Sequence, residues 1–217
     1  MHALDRAGRG PERRRDLHYA GRMNVRRIVT VPPFLDREAG EGELVVRINV
    51  GRGQALAFGS GAHQTTKAAL GLLGGLYADG APKPRRVLDV GCGSGVLGIA
   101  CALLGAEEIL GVDVEPEAVE MSNENAGHNG VQDRCRYSLT PVADVPGAFD
   151  LVLANLPSAE VLRELAPALR DRARGGLLIA SGIREDKRDG AIAAFTDLGL
   201  SVRAEVVVHG WCGALFR

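Results

Sequence analysis

Glycines alternate with other residues in one short segment of this 217-residue chain. The run Asp-Val-Gly-Cys-Gly-Ser-Gly-Val-Leu-Gly occupies residues 89–98, and Asp113 lies 20 residues beyond Gly93. Glycine lets the backbone turn tightly and lets a ligand approach it closely. A carboxylate such as Asp113 can accept charge-assisted hydrogen bonds from ribose hydroxyl groups. These residue types at this spacing predict a site for a cofactor that contains a nucleoside.

The glycine pattern fits two classes of cofactor. The motif G-x-G-x-x-G from Gly93 to Gly98, with Asp113 after it, has the spacing of a dinucleotide-binding turn. The motif G-x-G-x-G from Gly91 to Gly95, after Leu-Asp-Val, instead resembles the first motif of class I S-adenosylmethionine-dependent methyltransferases. In that class the turn passes the amino acid part of the cofactor, and the acid binds the ribose. The glycine pattern alone leaves both classes open.

Three further segments resemble the ribosomal protein L11 methyltransferase family. The motif F-G-S-G-x-H-x-T-T at residues 58–66 precedes a predicted helix and resembles the signature of that family. Ala-Asn-Leu at residues 154–156 and the glycine-flanked run at residues 175–183 are similar to its fourth and fifth strand regions. The resemblance extends over residues 52–217 and implies a fold and a cofactor, S-adenosylmethionine.

The resemblance also implies site residues. It places cofactor contacts on Thr66, Gly91, Asp113 and Asn155, and the rest of the predicted cofactor site is Asp89, Gly93 and Gly95. Asn155 has one carbonyl acceptor and two amide donors, so it is predicted to act in catalysis by holding both cofactor and incoming amine. His63 is the second predicted catalytic residue. We expect it to position groups rather than abstract a proton, because methyl transfer mainly requires in-line alignment of the reacting atoms.

The implied reaction is N-methylation of amino groups of a ribosomal protein, with L11 as the partner. Members of the family carry a substrate-recognition domain and a linker before the F-G-S-G motif. Here the 30 residues 25–54 occupy that place, so a shortened recognition region is expected. Two alternatives stay open: a small-molecule N- or O-methyltransferase, and a non-catalytic module that binds S-adenosylmethionine.

Alternating strands and helices must position these residues. The sequence predicts strands at residues 86–90, 108–113, 134–139, 149–154 and 176–181, and helices at residues 65–77, 95–104, 116–129, 158–172 and 185–198. This order predicts an α/β, Rossmann-like fold, in which a mostly parallel twisted sheet has helices on both faces. Residues 202–208 and 211–216 are predicted to close the sheet as an antiparallel hairpin. Such sheets bind ligands at the carboxyl ends of their strands, where the glycine turn, Asp113 and Asn155 lie.

Charge divides the chain into unequal parts. Residues 1–27 hold eight arginines and three acidic residues, a net of +5, whereas the remainder carries −6, which gives −1 overall. We predict a basic, disordered extension at residues 1–23, with a start at Met23 as an alternative. A short β appendage or linker is predicted at residues 24–55, and the methyltransferase domain at residues 56–217. No contact with nucleic acid is expected, except through the basic extension.

Several classes of protein are excluded by composition. The longest apolar run, residues 96–106, is far shorter than the ~20 residues that span a bilayer, so no membrane association is expected. No apolar segment of a secretory signal is present near the first residue. The four cysteines form no C-x-x-C pair, so neither zinc nor thioredoxin-like chemistry is expected. These observations predict an enzyme of the cytoplasm with reduced thiols and no metal ion.

Overall fold

A computed structural model describes residues 27–49, 61–77 and 83–217 of the chain. Within these ranges the strands are β1 (Arg27–Val31), β2 (Glu43–Arg47), β3 (Arg86–Val90), β4 (Glu108–Val112), β5 (Cys135–Ser138), β6 (Leu151–Asn155), β7 (Leu177–Arg184), β8 (Val202–Val208) and β9 (Trp211–Phe216). The helices are α1 (Gln64–Leu76), α2 (Val96–Leu103), α3 (Pro116–His128), α4 (Ala159–Arg172) and α5 (Arg188–Thr196). The predicted extension at residues 1–23 and the first part of the F-G-S-G motif, residues 58–60, lie outside the described residues.

Seven strands form one sheet in the order β5-β4-β3-β6-β7-β9-β8. The first five of these strands are parallel, and β9 pairs antiparallel with β7 and β8. The hairpin between β8 and β9 turns at His209 and Gly210, whose φ angles of 46° and 79° suit a two-residue turn. The predicted α/β fold, with its mostly parallel sheet and C-terminal antiparallel hairpin, is confirmed.

The sheet has a hydrophobic core on each face. Successive side chains of a strand point to opposite faces, so Val87 of β3 packs in one core and Leu88 in the other. Helices α1, α2 and α3 cover the first face, and α4 and α5 cover the second. Strands buried on both faces consist of continuous apolar runs, which is why β6 could be predicted from its sequence.

The order of the strands creates a switch point. After β3 the chain adds β4 and β5 on one side, and it then crosses to place β6 on the other side of β3. The carboxyl ends of β3 and β6 therefore lie next to each other where the connections diverge. Ligands of open α/β sheets bind in the crevice at such a point.

Strands β1 and β2 form a separate two-stranded parallel sheet. Val46 and Ile48 are buried in the core on the face covered by α1, α2 and α3. The strands lie within the appendage predicted at residues 24–55, and the division of the chain at residue 56 stays a prediction. We call residues 27–49 the β1–β2 unit.

Two predicted boundaries differ from the structure at the end of β7. The strand runs to Arg184 instead of ending at residue 181, because its register shifts between Ser181 and Ile183 and pairing with β9 then resumes. Gly182 lies in this bulge with a φ of 91°, a conformation that favours glycine. Residues 185–187 then form a 3₁₀ turn, so α5 begins at Arg188. In the described ranges no helix has both the length and the apolar character to cross a membrane.

Candidate functional site

The glycine turn, residues 91–95, connects β3 to α2. Gly91, Gly93 and Gly95 have φ angles of 67°, 55° and 77°, all in the left-handed region. A Cβ atom added at Gly91 would lie 2.5 Å from the Leu156 side chain, and one at Gly95 would lie 2.9 Å from the Tyr137 hydroxyl. A Cβ atom at Gly93 would meet no atom of residues 27–49, 61–77 or 83–217 within 4 Å. Gly93 therefore borders open space that a ligand can occupy.

Side chains from β4 and α3 hold the polar groups of the glycine turn. The Gly93 N–H donates to Asp113 Oδ2 over 2.8 Å, and Ser122 Oγ donates to the Gly93 carbonyl over 2.9 Å. Asn125 Nδ2 donates to the Ser94 carbonyl over 2.9 Å. Ser122 and Asn125 are fully buried, and the sequence analysis missed both. The sequence contained a signal for this pair, because two polar residues three positions apart lie on one face of a predicted helix.

Asp113 lies directly after β4 and is partly exposed. Besides the Gly93 N–H, its carboxylate accepts the N–H groups of Val114 over 2.8 Å and Glu115 over 3.2 Å. Two carboxylate oxygens offer about four lone-pair positions, so acceptor capacity is left for a ligand hydroxyl. Two neighbouring side chains missed by the sequence analysis are apolar and exposed: Val114 at 86% and Leu139 at 51%, directly after β5. The sequence contained a signal for Val114, because this apolar residue directly follows an acidic residue at the end of a strand.

Asp89 is buried beneath the glycine turn with an exposure of 1%. Its Oδ2 accepts the Gly98 N–H over 2.9 Å and so joins β3 to the first turn of α2. The pKa of Asp89 is raised to about 7, and burial is the largest cause. The hydrogen bond from Gly98 acts in the opposite direction, and the charge of Asp113 adds to the rise. Direct contact of Asp89 with a cofactor stays a prediction; the structure shows a carboxyl group that supports the turn.

Asn155 ends β6 and connects three elements. Its Nδ2 donates to Thr66 Oγ1 in α1 over 3.2 Å, and its Oδ1 accepts from Ser181 Oγ in β7 over 3.0 Å. Thr66 and Ser181 are buried, whereas Asn155 is partly exposed. The two hydroxyl groups hold the amide between them, and in this orientation one Nδ2 hydrogen stays available at the switch point.

Gly182 supports the segment that follows Asn155. A Cβ atom at Gly182 would collide with the Leu156 carbonyl oxygen. The Leu156 N–H donates to the Ser181 carbonyl over 3.2 Å, so the two segments lie in direct backbone contact. The bulge in β7 therefore allows the backbone after β6 to approach it closely, and this places Asn155.

His63 caps the N-terminus of α1. Its Nδ1 lies 2.9 Å from Thr65 Oγ1 and accepts the Thr65 N–H over 3.4 Å. The imidazole ring contacts Trp211 edge-on with ring centroids 5.3 Å apart, and the Arg184 guanidinium lies 6.0 Å from the Trp211 ring centroid. These contacts fit the expected positioning role of His63, and a role in catalysis stays a prediction.

Metal-binding groups are not clustered in the part of the chain that the structure describes. No group of three or more His, Cys, Asp or Glu residues there could hold a metal ion. The four cysteines, Cys92, Cys101, Cys135 and Cys212, are buried and free, and burial raises the pKa of each thiol. These thiols are therefore neutral and make poor nucleophiles.

Comparison with protein families gives a match over nearly the whole chain. A family model described as ribosomal protein L11 methyltransferase matches residues 18–217. The chain is 48% identical over 178 residues to a ribosomal protein L11 methyltransferase of Geobacter sp. strain M21, and 42% identical over 185 residues to one of Geotalea uraniireducens. Both alignments cover 81% of this chain but 56% and 57% of the relatives. The chain therefore spans about half the length of the curated relatives it matches.

Solved structures give the same match at the level of the fold. A ribosomal protein L11 methylase from Lactobacillus delbrueckii subsp. bulgaricus has a TM-score of 0.74 and 31% identity, and the match covers 88% of this chain and 94% of that one. An RNA methyltransferase, described as putative, from Pyrococcus horikoshii has a TM-score of 0.60 and 21% identity, covering 70% and 83%. At that identity the second likeness shows the fold alone.

Proposed function

This chain belongs to the ribosomal protein L11 methyltransferase family, and we propose that it transfers a methyl group from S-adenosylmethionine to a nitrogen atom of a ribosomal protein. One observation carries the proposal: the glycine turn, Asp113 and the Asn155–Thr66 pair meet at the switch point of the sheet. Among the described residues, the glycine turn, Asp113, Asn155 and Thr66 thus lie at the edge of the sheet where this fold binds ligands.

The residues at the switch point fit S-adenosylmethionine. The amino acid part of the cofactor would pass the turn at Gly93, where no side chain of the described residues fills the space. Asp113 has acceptor capacity for ribose hydroxyls, and exposed Val114 and Leu139 offer an apolar surface beside it for the adenine. When bound, the cofactor would supply an electrophilic methyl group for transfer to the nitrogen of a neutral amine, with S-adenosylhomocysteine as the leaving group.

Asn155 is the residue that we propose to orient the acceptor nitrogen. Its amide is held by Ser181 on one side and Thr66 on the other, so the position of the carboxamide group is restrained. Preorganisation of this kind lowers the entropic cost of aligning nucleophile and methyl carbon. In this account His63 fixes the start of α1, and thereby Thr66, without taking a proton.

The dinucleotide alternative is disfavoured by the first turn of α2. In dinucleotide-binding folds the pyrophosphate occupies the N-terminus of this helix, where free N–H groups attract its negative charge. Here the Asp89 carboxyl group already accepts the Gly98 N–H at that end. A pyrophosphate bound there would find the Gly98 N–H already used by Asp89. When Asp89 is ionised, its negative charge would also repel the pyrophosphate.

The proposed acceptor is an amino nitrogen of ribosomal protein L11. This follows from the names of the relatives, which are 34–48% identical to this chain. We place the reaction in the cytoplasm, and the four buried free cysteines fit a reducing compartment.

Incubation of the chain with methyl-labelled S-adenosylmethionine and purified L11 tests the proposal. The wild type is expected to label L11, and Asp113→Asn is expected to lose most of the labelling at limiting cofactor. The amide of Asp113→Asn has one oxygen in place of two, and this oxygen must serve three backbone donors and the ribose. Each charged hydrogen bond that is lost should weaken cofactor binding by about 1.5–3 kcal/mol. Asp133→Asn removes an exposed carboxylate away from these strand ends and serves as the control. Tight cofactor binding without label on L11 would contradict the proposed acceptor.

A further inference from the structure

Asn125 bonds simultaneously to the glycine turn and to the β1–β2 unit. Its Nδ2 donates to the carbonyls of Ser94 and Asn49, each over 2.9 Å, and its Oδ1 accepts the Asn49 N–H over 2.7 Å. An amide nitrogen has two hydrogens, so one carboxamide satisfies both contacts at once. The side chain is fully buried, and any displacement of the Ser94 carbonyl therefore acts on Asn49 through a single rigid group.

Asn129, which caps the C-terminus of α3 one helical turn beyond Asn125, holds the same unit without touching the glycine turn. Its Oδ1 accepts the Arg47 N–H over 2.9 Å, and its Nδ2 donates to the Arg47 carbonyl over 2.7 Å. Together with Asn125 it bonds to both backbone groups of alternate residues, 47 and 49. A neighbouring strand would form the same pattern of hydrogen bonds. The outer edge of residues 47–49, from the end of β2 onward, is thus paired by Asn125 of α3 and by Asn129, the residue that caps α3.

The β1–β2 unit also contacts the other side of the site. The Thr30 side chain in β1 packs on Gly61, where an added Cβ atom would collide with it. Gly61 lies two residues before His63, which caps α1, and α1 carries the Thr66 that bonds to Asn155. The unit therefore bridges the cofactor side and the acceptor side of the switch point.

We propose that Asn125 is a positioning residue that couples occupancy of the cofactor site to the placement of the β1–β2 unit. The inference rests on the proposed function, because it requires the cofactor to bind against the glycine turn. A ligand at Gly93 orders the turn, the ordered Ser94 carbonyl holds Asn125, and Asn125 holds Asn49. An acceptor protein that stabilises the β1–β2 unit should therefore raise the affinity for the cofactor. By linkage, bound cofactor should raise the affinity for that acceptor by the same factor.

Amide hydrogen exchange on the wild-type chain tests the coupling without a substitution. S-adenosylhomocysteine, the product of the cofactor, is the probe. Saturating probe is expected to slow exchange of the Arg47 and Asn49 amides by about fivefold, because local opening of β2 must then break a better ordered contact. Calorimetric binding with unchanged exchange at both amides would overturn this inference alone. A wild-type chain that does not bind the probe would overturn the proposed function as well.

Two variants separate coupling from simple docking. Asn125→Ala and Asn129→Ala each remove two hydrogen bonds to the β1–β2 unit. Asn129→Ala also removes the one to the Asn125 carbonyl, but only Asn125→Ala releases the Ser94 carbonyl. Coupling predicts about tenfold weaker probe binding for Asn125→Ala, the effect of one lost hydrogen bond, and less than about twofold for Asn129→Ala. The response of the Arg47 amide to the probe should disappear in Asn125→Ala, and that of the Asn49 amide should persist in Asn129→Ala. Equal losses in the two variants would show a purely structural role and contradict the proposal.

Discussion

Gly93 and Gly130 are a matched pair that tests where a ligand approaches the chain. Their φ angles are 55° and 65°, and a Cβ atom added at either meets no atom within 4 Å in the part of the chain that the structure describes. Alanine at either position is therefore opposed by backbone strain alone, about 1–2 kcal/mol for a left-handed residue. For a chain of this size that strain lowers the Tm by about 2–8 °C, and we expect similar losses for Gly93→Ala and Gly130→Ala.

Only Gly93 lies in the glycine turn, whereas Gly130 follows α3. The methyl group of Gly93→Ala would enter the space that we propose for the amino acid part of the cofactor. We expect its Kd for S-adenosylhomocysteine to rise at least about tenfold, which corresponds to about 1.4 kcal/mol. Gly130→Ala should bind as tightly as the wild type, because its strain is present in both the free and the bound chain.

Isothermal titration calorimetry gives the affinities, and thermal unfolding of the same samples gives the Tm values. Unchanged affinity in Gly93→Ala at a normally lowered Tm would show that no ligand approaches the turn at this residue. Equal weakening in both variants would attribute the effect to general strain. Either result would refute the assignment of the open space at Gly93 to the cofactor.

Three further substitutions test the supports of the site. The pKa of Asp89 is raised to about 7, so the carboxyl group holds its proton more tightly in the folded chain than in the unfolded chain. The free energy of unfolding should therefore fall as the pH rises from about 4 to about 7. Urea titrations of Asp89→Asn should no longer show that fall. Gly182→Ala drives a methyl group into the Leu156 carbonyl and should cost about 3 kcal/mol or more of stability, with a wild-type Tm arguing against the packed bulge. Ser122→Ala leaves the Gly93 carbonyl without its donor and should cost about 1–3 kcal/mol in urea unfolding, whereas an unchanged midpoint would mean that water replaces the hydroxyl.

The parts of the fold that were predictable depend on local patterns. Strands β8 and β9 have the predicted bounds because a two-residue turn, His209-Gly210, separates two apolar runs. The glycine turn was predictable because left-handed backbone conformations strongly favour glycine, and three of them occur here at alternate positions. The contact between Asn155 and Thr66 joins residues 89 apart, and only the family resemblance placed both in one site.

The parts that were not predictable depend on distant partners. Asn125 bonds to Asn49, 76 residues earlier, and a polar stripe on a helix does not identify what it faces. The bulge at Gly182 continues β7 because β9 resumes pairing beyond it, so the sequence of β7 alone indicates a turn there. The burial of Asp89 likewise follows from how closely α2 packs over it, which no local pattern reports.

The central claim is that the switch point of the sheet binds S-adenosylmethionine and not a dinucleotide. Calorimetric titration of the wild-type chain with S-adenosylhomocysteine, and separately with NADH, tests it most directly. The account predicts saturable binding of S-adenosylhomocysteine at one site per chain and no binding of NADH. Saturable binding of NADH, with none of S-adenosylhomocysteine, would contradict it.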